Sequence, residues 1–170
     1  MVVLPVDVDD RDALLAVATA TGLFTPTDAE ALLGGVLDQL HAGQLPAGHA
    51  AVACRTAAGE PIVGWTYFAP DQHADGVWNV WWIGVEPGSH GRGAGTLLLR
   101  HAEARAAAAG ARIVVIETSS LESQARARRF YAREGYAECG RVPDFYAHGD
   151  HKVIFARQPR PSATAHPARA

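Results

Sequence analysis

The sequence predicts an α/β domain on a mixed, mostly antiparallel sheet of about six or seven strands flanked by about four helices. Three observations predict it. Three short β-rich runs follow one another between turn signals in residues 50–85. A strand, a glycine-rich loop, an Ala- and Leu-rich helix and a β-branched run then make a β-α-β unit over residues 77–117. Helical periodicity precedes these runs, and a further helix and two more β-rich runs follow them. With 170 residues, 48% apolar and 19% charged, the chain fits one domain, 1–157, with a core large enough to fold alone. Intrinsic disorder is excluded for its bulk.

After an apolar opening at residues 1–8, Asp9 or Asp10 can cap a helix that turns Leu14, Leu15, Val17 and Ala18 inward and ends near Gly22. Thr25-Pro26 sets up a second start. Thr27-Asp28-Ala29-Glu30 has capping-box spacing, and Leu32, Leu33, Val36, Leu37 and Leu40 follow at helical period to about His41. Residues 50–55, 62–68 and 77–85 read as an antiparallel meander. Residues 93–109 form a helix stopped by Gly110, and residues 112–117 are a continuous β-branched run of the kind found in buried strands. A further helix over about residues 123–134 has Gly135 at C′. A strand near residues 136–142, a loop and a closing strand at 152–157 complete the domain, and residues 158–170 are expected to form a floppy tail.

Several function classes drop out. Every apolar stretch is interrupted well before the roughly 18–20 residues a bilayer crossing requires, so no membrane partner is expected. Residues 1–12 carry Asp7, Asp9, Asp10 and Asp12 and lack the basic and apolar regions of a signal peptide, which makes a cytoplasmic location the default. Cys54 and Cys139 stand outside any CxxC or metal-ligand spacing; they read as buried small apolar residues, and no metal is expected. A net charge of −3 argues against nucleic acid as a partner, yet the charge is uneven. Residues 1–91 hold two Lys/Arg against eleven carboxylates, and residues 92–170 hold thirteen against seven. The second half suits a polyanionic ligand such as a nucleotide, and the first a cationic one, although Arg92, Arg105, Arg126, Arg128, Arg129 and Arg133 each read singly as part of a solvated helix face.

The most informative stretch is Val85-Glu86-Pro87-Gly88-Ser89-His90-Gly91-Arg92-Gly93-Ala94-Gly95-Thr96, between a strong strand and a strong helix. Its N–H groups collect at a helix N-terminus, where phosphate is favoured, and glycines let a pyrophosphate approach the main chain. Arg92 can add a charge-assisted hydrogen bond. The dinucleotide fingerprint fails on spelling, because Thr96 or Leu98 stands where its third glycine belongs, and the phosphate-loop motif fails because the chain's one lysine is Lys152.

The pattern His90-Gly91-Arg92-Gly93-Ala94-Gly95, preceded by Val85-Glu86-Pro87, resembles motif A of the GNAT N-acetyltransferase superfamily, Gln/Arg-x-x-Gly-x-Gly/Ala, with His90 in place of Gln or Arg. Phe130-Tyr131-Ala132-Arg133-Glu134-Gly135-Tyr136 resembles the Phe-Tyr-x-x-x-Gly-Phe segment of motif B, and Gln124 stands where the family often has Asn. The resemblance covers about residues 50–157 and implies a GNAT-like fold that binds acetyl-CoA, as co-substrate, across His90–Thr96. It implies that the backbone of Ile83, Gly84 and Val85 pairs with the pantetheine arm like an added strand, with a main-chain N–H polarising the thioester carbonyl. Gly84 suits that role, since glycine within a strand often marks a close backbone approach. It also implies that Tyr131 faces the thioester sulfur, where a phenol, protonated at neutral pH, can act as general acid.

Glu117 closes the β-branched run out of pattern and is the candidate general base; otherwise it binds backbone amides or an arginine of the next helix. Trp82 belongs with Trp65, Phe68, Trp78 and Trp81 to a set that reads as core or as walls of an acceptor site. Asp144-Phe145-Tyr146-Ala147-His148-Gly149-Asp150-His151 reads as a loop that in this family often borders the acceptor pocket. There Phe145 or Tyr146 can cover the acceptor, and Asp144 or Asp150 can pair with its ammonium. The expected activity is acetyl transfer to a primary amine of a small molecule or peptide by a monomer or homodimer. A protein N-terminal acetyltransferase and a non-catalytic acyl-CoA sensor are the alternatives.

Overall fold

The computed structural model describes residues 1–159. The expected tail, residues 158–170, lies outside them from residue 160 on. Seven strands, β1 (Val2–Pro5), β2 (Ala50–Arg55), β3 (Ile62–Pro70), β4 (Val77–Val85), β5 (Ile113–Ser119), β6 (Ala137–Ala147) and β7 (Asp150–Arg157), form a sheet in the order β1-β2-β3-β4-β5-β7-β6. The β1–β2, β2–β3, β5–β7 and β6–β7 pairs are antiparallel, and β4–β5 is parallel. The helices are α1 (Arg11–Ala20), α2 (Pro26–Ala29), α3 (Gly35–His41), α4 (Ala94–Ala108) and α5 (Ala125–Arg133). A π turn over Glu30–Gly34 joins α2 to α3 without a break, which leaves four helical bodies. This is the mixed, mostly antiparallel architecture expected of the sequence. Among the described residues no helix is long and apolar enough to cross a membrane. The chain divides into two compact units, Met1–Ala69 with Trp82–Ala102, and Pro70–Trp81 with the residues from Glu103 on.

The core of the first unit gathers Leu14, Val17 and Ala18 from α1, Leu33 and Leu37 from the second helical body, and Ala51, Ala53, Trp65, Tyr67 and Trp82 from the strands. Trp65 buries its ring completely and donates from Nε1 to Leu14 O at 2.8 Å, so the largest core residue also ties α1 to β3. The second helix starts at Thr25-Pro26 as expected, and the capping box sits there too. Thr25, not Thr27, is the cap, its Oγ1 accepting from Asp28 N–H while Asp28 Oδ2 accepts from Thr25 N–H, because Pro26 pre-sets the first helical turn. Arg11 binds Glu30 and Asp38 at 2.5 and 2.6 Å and clamps α1 to the start of the π turn and to α3.

Gly84 owes its identity to packing inside this unit. A Cβ there would stand 3.1 Å from Cε2 and Cη2 of the Trp82 indole, and closer still to Cζ2. Opposite it, a Cβ on Gly64 would meet Gly84 O at 2.8 Å.

In the second unit, β4 pairs with β5 from Val77↔Ile113 to Val80↔Ile116, and β5 pairs with β7 from Val114↔Arg157 to Ser119↔Lys152. Val114, Ile116, Val153 and Phe155 bury one face, against which α5 packs Tyr131 with 5.6 Å between the Tyr131 and Phe155 ring centroids. Two expectations are corrected here. Cys139 is exposed, because β6 is the edge strand and nearly all of it faces solvent, whereas Cys54 is buried as expected. The segment from Asp144 to His151 is a β-hairpin and not a loop: β6 runs to Ala147, turns through His148-Gly149 and returns as β7 from Asp150. Its polar composition hid the strand. Asp144 stands at φ 51° where the β6–β7 register shifts, and its Oδ1 accepts the Gly149 N–H at 2.8 Å, closing the turn.

Gly84→Ala is expected to cost about 1–3 kcal/mol through overpacking against Trp82, read as a lower urea midpoint at unchanged m-value. A midpoint equal to that of the unmodified chain would mean that the indole has room to move.

Candidate active site

In the first unit, the chain leaves β4 through a single 3₁₀ turn, Pro87–Ser89, that Ser89 stabilises from a buried position by donating from Oγ to Glu86 Oε1 at 2.7 Å. Gly91 and Gly93 follow at φ 78° and 90°, values that L side chains rarely adopt. α4 then begins, and its first ladder bond runs from Leu97 N–H to Gly93 O at 3.0 Å. The N–H groups of Ala94, Gly95 and Thr96 therefore precede the ladder, as the first amides of any helix do. A Cβ on Gly91 or Gly93 would meet nothing within 4 Å, so the space beside these two glycines is open. A 15-residue helix, two left-handed glycines and an exposed Arg92 make a cradle that fits a diphosphate. Gly95 is already helical and takes no positive φ.

The His90 ring turns back onto the strand. Its Nε2 lies 2.8 Å from Val85 O, and since a carbonyl only accepts, that nitrogen carries the proton. The departure from Gln or Arg at this position thus has a local job, holding the loop against β4. The backbone parity of β4 is set on the β3 side, where Glu86 N–H donates to Val63 O at 2.9 Å and Trp82 O accepts from Thr66 Oγ1 at 2.6 Å. The main-chain groups of Ile83 and Val85 accordingly face away from β3. Trp82 itself is buried between Phe24 and Trp65, at ring separations of 5.3 and 5.7 Å, and its Nε1–H finds no acceptor among the described residues.

In the second unit, Gln124 ends the short turn Glu122–Gln124 that leads into α5, and is partly buried. About two helical turns further on, Tyr131 is buried between Phe130 and Phe155. Burial pushes its phenol well above the ordinary value near 10, so it stays protonated. Its hydroxyl has no hydrogen-bond partner among the described residues.

Glu117 and Trp81 occupy the register step after the last β4–β5 pair, and both are exposed, Trp81 by 56%. Neither expected partner of Glu117 is the observed one: Oε2 lies 2.6 Å from Lys152 Nζ on β7. Tyr146 is held above its ordinary pKa by partial burial and then by the Glu117 and Asp150 carboxylates, which places these three side chains within electrostatic reach. Asp150 Oδ1 accepts from Ser119 Oγ, and Asp144 is taken up by the hairpin turn. Asp144 N–H also donates to His151 Nδ1 at 2.9 Å, which leaves that nitrogen unprotonated, so the 3.6 Å approach of the ring to Asp144 Oδ1 is not a salt bridge. Sequence reasoning passed over Ser89 and Lys152. The Glu86-x-x-Ser89 spacing was a usable signal for the first; the second emerges only from strand register.

The model of the acetyltransferase (GNAT) family matches residues 22–136. Among solved structures, a GNAT-family protein from Desulfovibrio desulfuricans aligns with a TM-score of 0.86 at 26% identity, over 94% of this chain and 99% of that one. An aminoglycoside 6'-N-acetyltransferase complexed with coenzyme A aligns at 0.74 and 17% identity, over 95% and 99%. The ribosomal-protein-S18-alanine N-acetyltransferase from Escherichia coli aligns at 0.69 and 14% identity, over 99% of each chain. At such low identity the last two share the fold. No curated protein sequence matches the chain.

The buried phenol predicts an alkaline stability signature. The unfolded chain loses the Tyr131 proton near pH 10 while the folded state keeps it, so stability present below that pH falls as pH rises through it, by about 1.4 kcal/mol per unit. Urea midpoints at pH 9 and 11 should therefore diverge less in Tyr131→Phe than in the unmodified chain. Tyr67, also raised by burial, is left to contribute in both. Equal divergence would place the Tyr131 hydroxyl in water.

Proposed function

Because the chain belongs to the acetyltransferase (GNAT) family, we propose that it transfers an acetyl group from acetyl-CoA directly to a primary amine of a small molecule or peptide. The observation that carries this reading is the loop geometry: two left-handed glycines, with open space beside them, set directly ahead of the first ladder bond of α4. The amides of Gly91–Thr96 and the Arg92 side chain would hold the diphosphate, and the outward groups of Ile83 and Val85 the pantetheine amides. When bound, acetyl-CoA supplies an acyl carbon whose leaving group is a thiolate of ordinary pKa near 8.5.

The chain's own residues then have three tasks. A main-chain N–H at Ile83 or Val85 donates to the thioester oxygen as charge grows there. Glu117 accepts the proton that the amine nitrogen loses as its bond to the acyl carbon forms, directly or through water. Tyr131 donates its phenolic proton to the sulfur as the carbon–sulfur bond breaks, and is reprotonated from solvent. No acyl-enzyme is required: Cys54 is buried in β2, Cys139 is exposed on the edge strand, and neither belongs to a motif.

Thiol release from acetyl-CoA across a panel of amino acids, polyamines, aminoglycosides and peptides tests the reading. Turnover with one class supports it, and coenzyme A binding with no turnover of any amine would make the chain a binding module. Gly93→Val should fold, at a backbone strain of roughly 1–3 kcal/mol, and lose most of its calorimetric affinity for coenzyme A; unchanged affinity would remove the cradle assignment. Tyr131→Phe should lower kcat about 10²-fold with coenzyme A affinity retained, near the low end of acid–base effects because the thiolate already leaves well. Glu117→Gln should lower kcat by about 10²–10⁴-fold. Wild-type turnover in either variant would return that residue to a packing or pairing role.

A further inference from the structure

Lys152 is the chain's one lysine, and its side chain is only 15% exposed. Nζ lies 2.6 Å from Glu117 Oε2 and 3.7 Å from the centroid of the Phe145 ring. The ammonium is held from two sides, by a carboxylate and by the electron-rich face of an aromatic ring. Phe145 is braced in turn by Tyr146, packed edge-on at 5.0 Å. Lys152 stands opposite Ser119 and Glu117 opposite Ile154, so the ion pair is a diagonal contact on one face of the β5–β7 ladder. Oε1 of Glu117 has no partner among the described residues.

A carboxylate on a strand end rotates freely about its side-chain bonds unless something fixes it, and misplacement of a proton acceptor by about 1 Å can cost on the order of 10²-fold in rate. Lys152 supplies the restraint. We infer that Lys152 is a positioning residue for acetyl transfer: it pins Oε2 of Glu117, so that Oε1 is the oxygen offered to the acceptor's nitrogen. The ammonium proton of the acceptor passes to Oε1, directly or through one water, and Lys152 keeps all three of its own protons throughout. The inference rests on the assignment of Glu117 as proton acceptor.

The pair can be examined without catalysis. A ¹⁵N-lysine label gives a single side-chain ammonium signal, which should shift and broaden in Glu117→Gln and should move again in Phe145→Leu; a signal unchanged in both would overturn the inference. Its catalytic consequence is read from a double-mutant cycle. Lys152→Met should lower kcat about 10- to 100-fold at unchanged coenzyme A affinity, Lys152→Arg should restore most of it, and Lys152→Met with Glu117→Gln should be no slower than Glu117→Gln alone. A Lys152→Met variant as fast as wild type, beside an impaired Glu117→Gln, would overturn the role of Lys152 and leave Glu117 as the base. Losses that multiply in the double variant would overturn it too, since Lys152 would then act independently. If Glu117→Gln itself turns over like wild type, the base assignment fails, and the inference with it.

Discussion

Strands that pair in parallel cannot be joined by a hairpin, and that constraint organises this chain. β4 and β5 pair in parallel over four residues, so the connection between them must leave the carboxyl end of one, cross as a helix and return to the amino end of the other. α4 is that crossover. A helix that starts just beyond the end of a strand delivers the amides of its first turn, which lie outside the helical ladder, to that end, where they favour an anion. The change of direction takes place within a few residues, which is why the loop needs left-handed positions at Gly91 and Gly93. The geometry of this loop is thus a product of the crossover as much as of the residues that spell it.

Inside each unit, charged side chains serve the scaffold before they serve any ligand. Arg157 donates to Glu134 O at 2.7 Å and lies 3.6 Å from Glu103, whose side chain is 4% exposed; removing the arginine would strand a buried carboxylate. Arg128, which its helix position reads as solvated, donates to Ser119 O and Leu121 O, both at 2.7 Å, and closes the turn ahead of α5. Lys152 does the same for Glu117 across a strand pair. In each case a long cation reaches a carbonyl or carboxylate oxygen of a strand, helix end or turn.

The meander, the crossover helix and both motifs were legible in the sequence because each is written in local pattern: alternation, turn residues, and glycine at fixed offsets. The capping of the second helix was legible as a motif but misplaced by two residues, since two threonines compete and only Pro26 decides between them. The hairpin from Asp144 to His151 was hidden because an edge strand with neither face buried has no apolar alternation to show. The same absence of burial exposes Cys139. Lys152 was invisible as a partner of Glu117 because they are 35 positions apart and meet through an antiparallel register that nothing local encodes. For Gly84, the sequence indicated a close approach without naming its partner: within the first unit the glycine makes room for the Trp82 indole.

The charge asymmetry bears on how an anion is held. Residues 1–91 contain two cationic side chains among Lys and Arg, and both are spent within the first unit, Arg11 on Glu30 and Asp38, and Arg55 on Asp10. In the proposed reading the diphosphate is held directly after this acidic stretch, and Arg92 is the cationic side chain nearest to it in sequence. Main-chain amides hold an anion differently. They carry no formal charge and need no counter-ion of their own, and they are fixed in direction by the helix, so they select an anion by geometry. The excess of carboxylates over Lys and Arg in residues 1–91 biases the surrounding field toward cations.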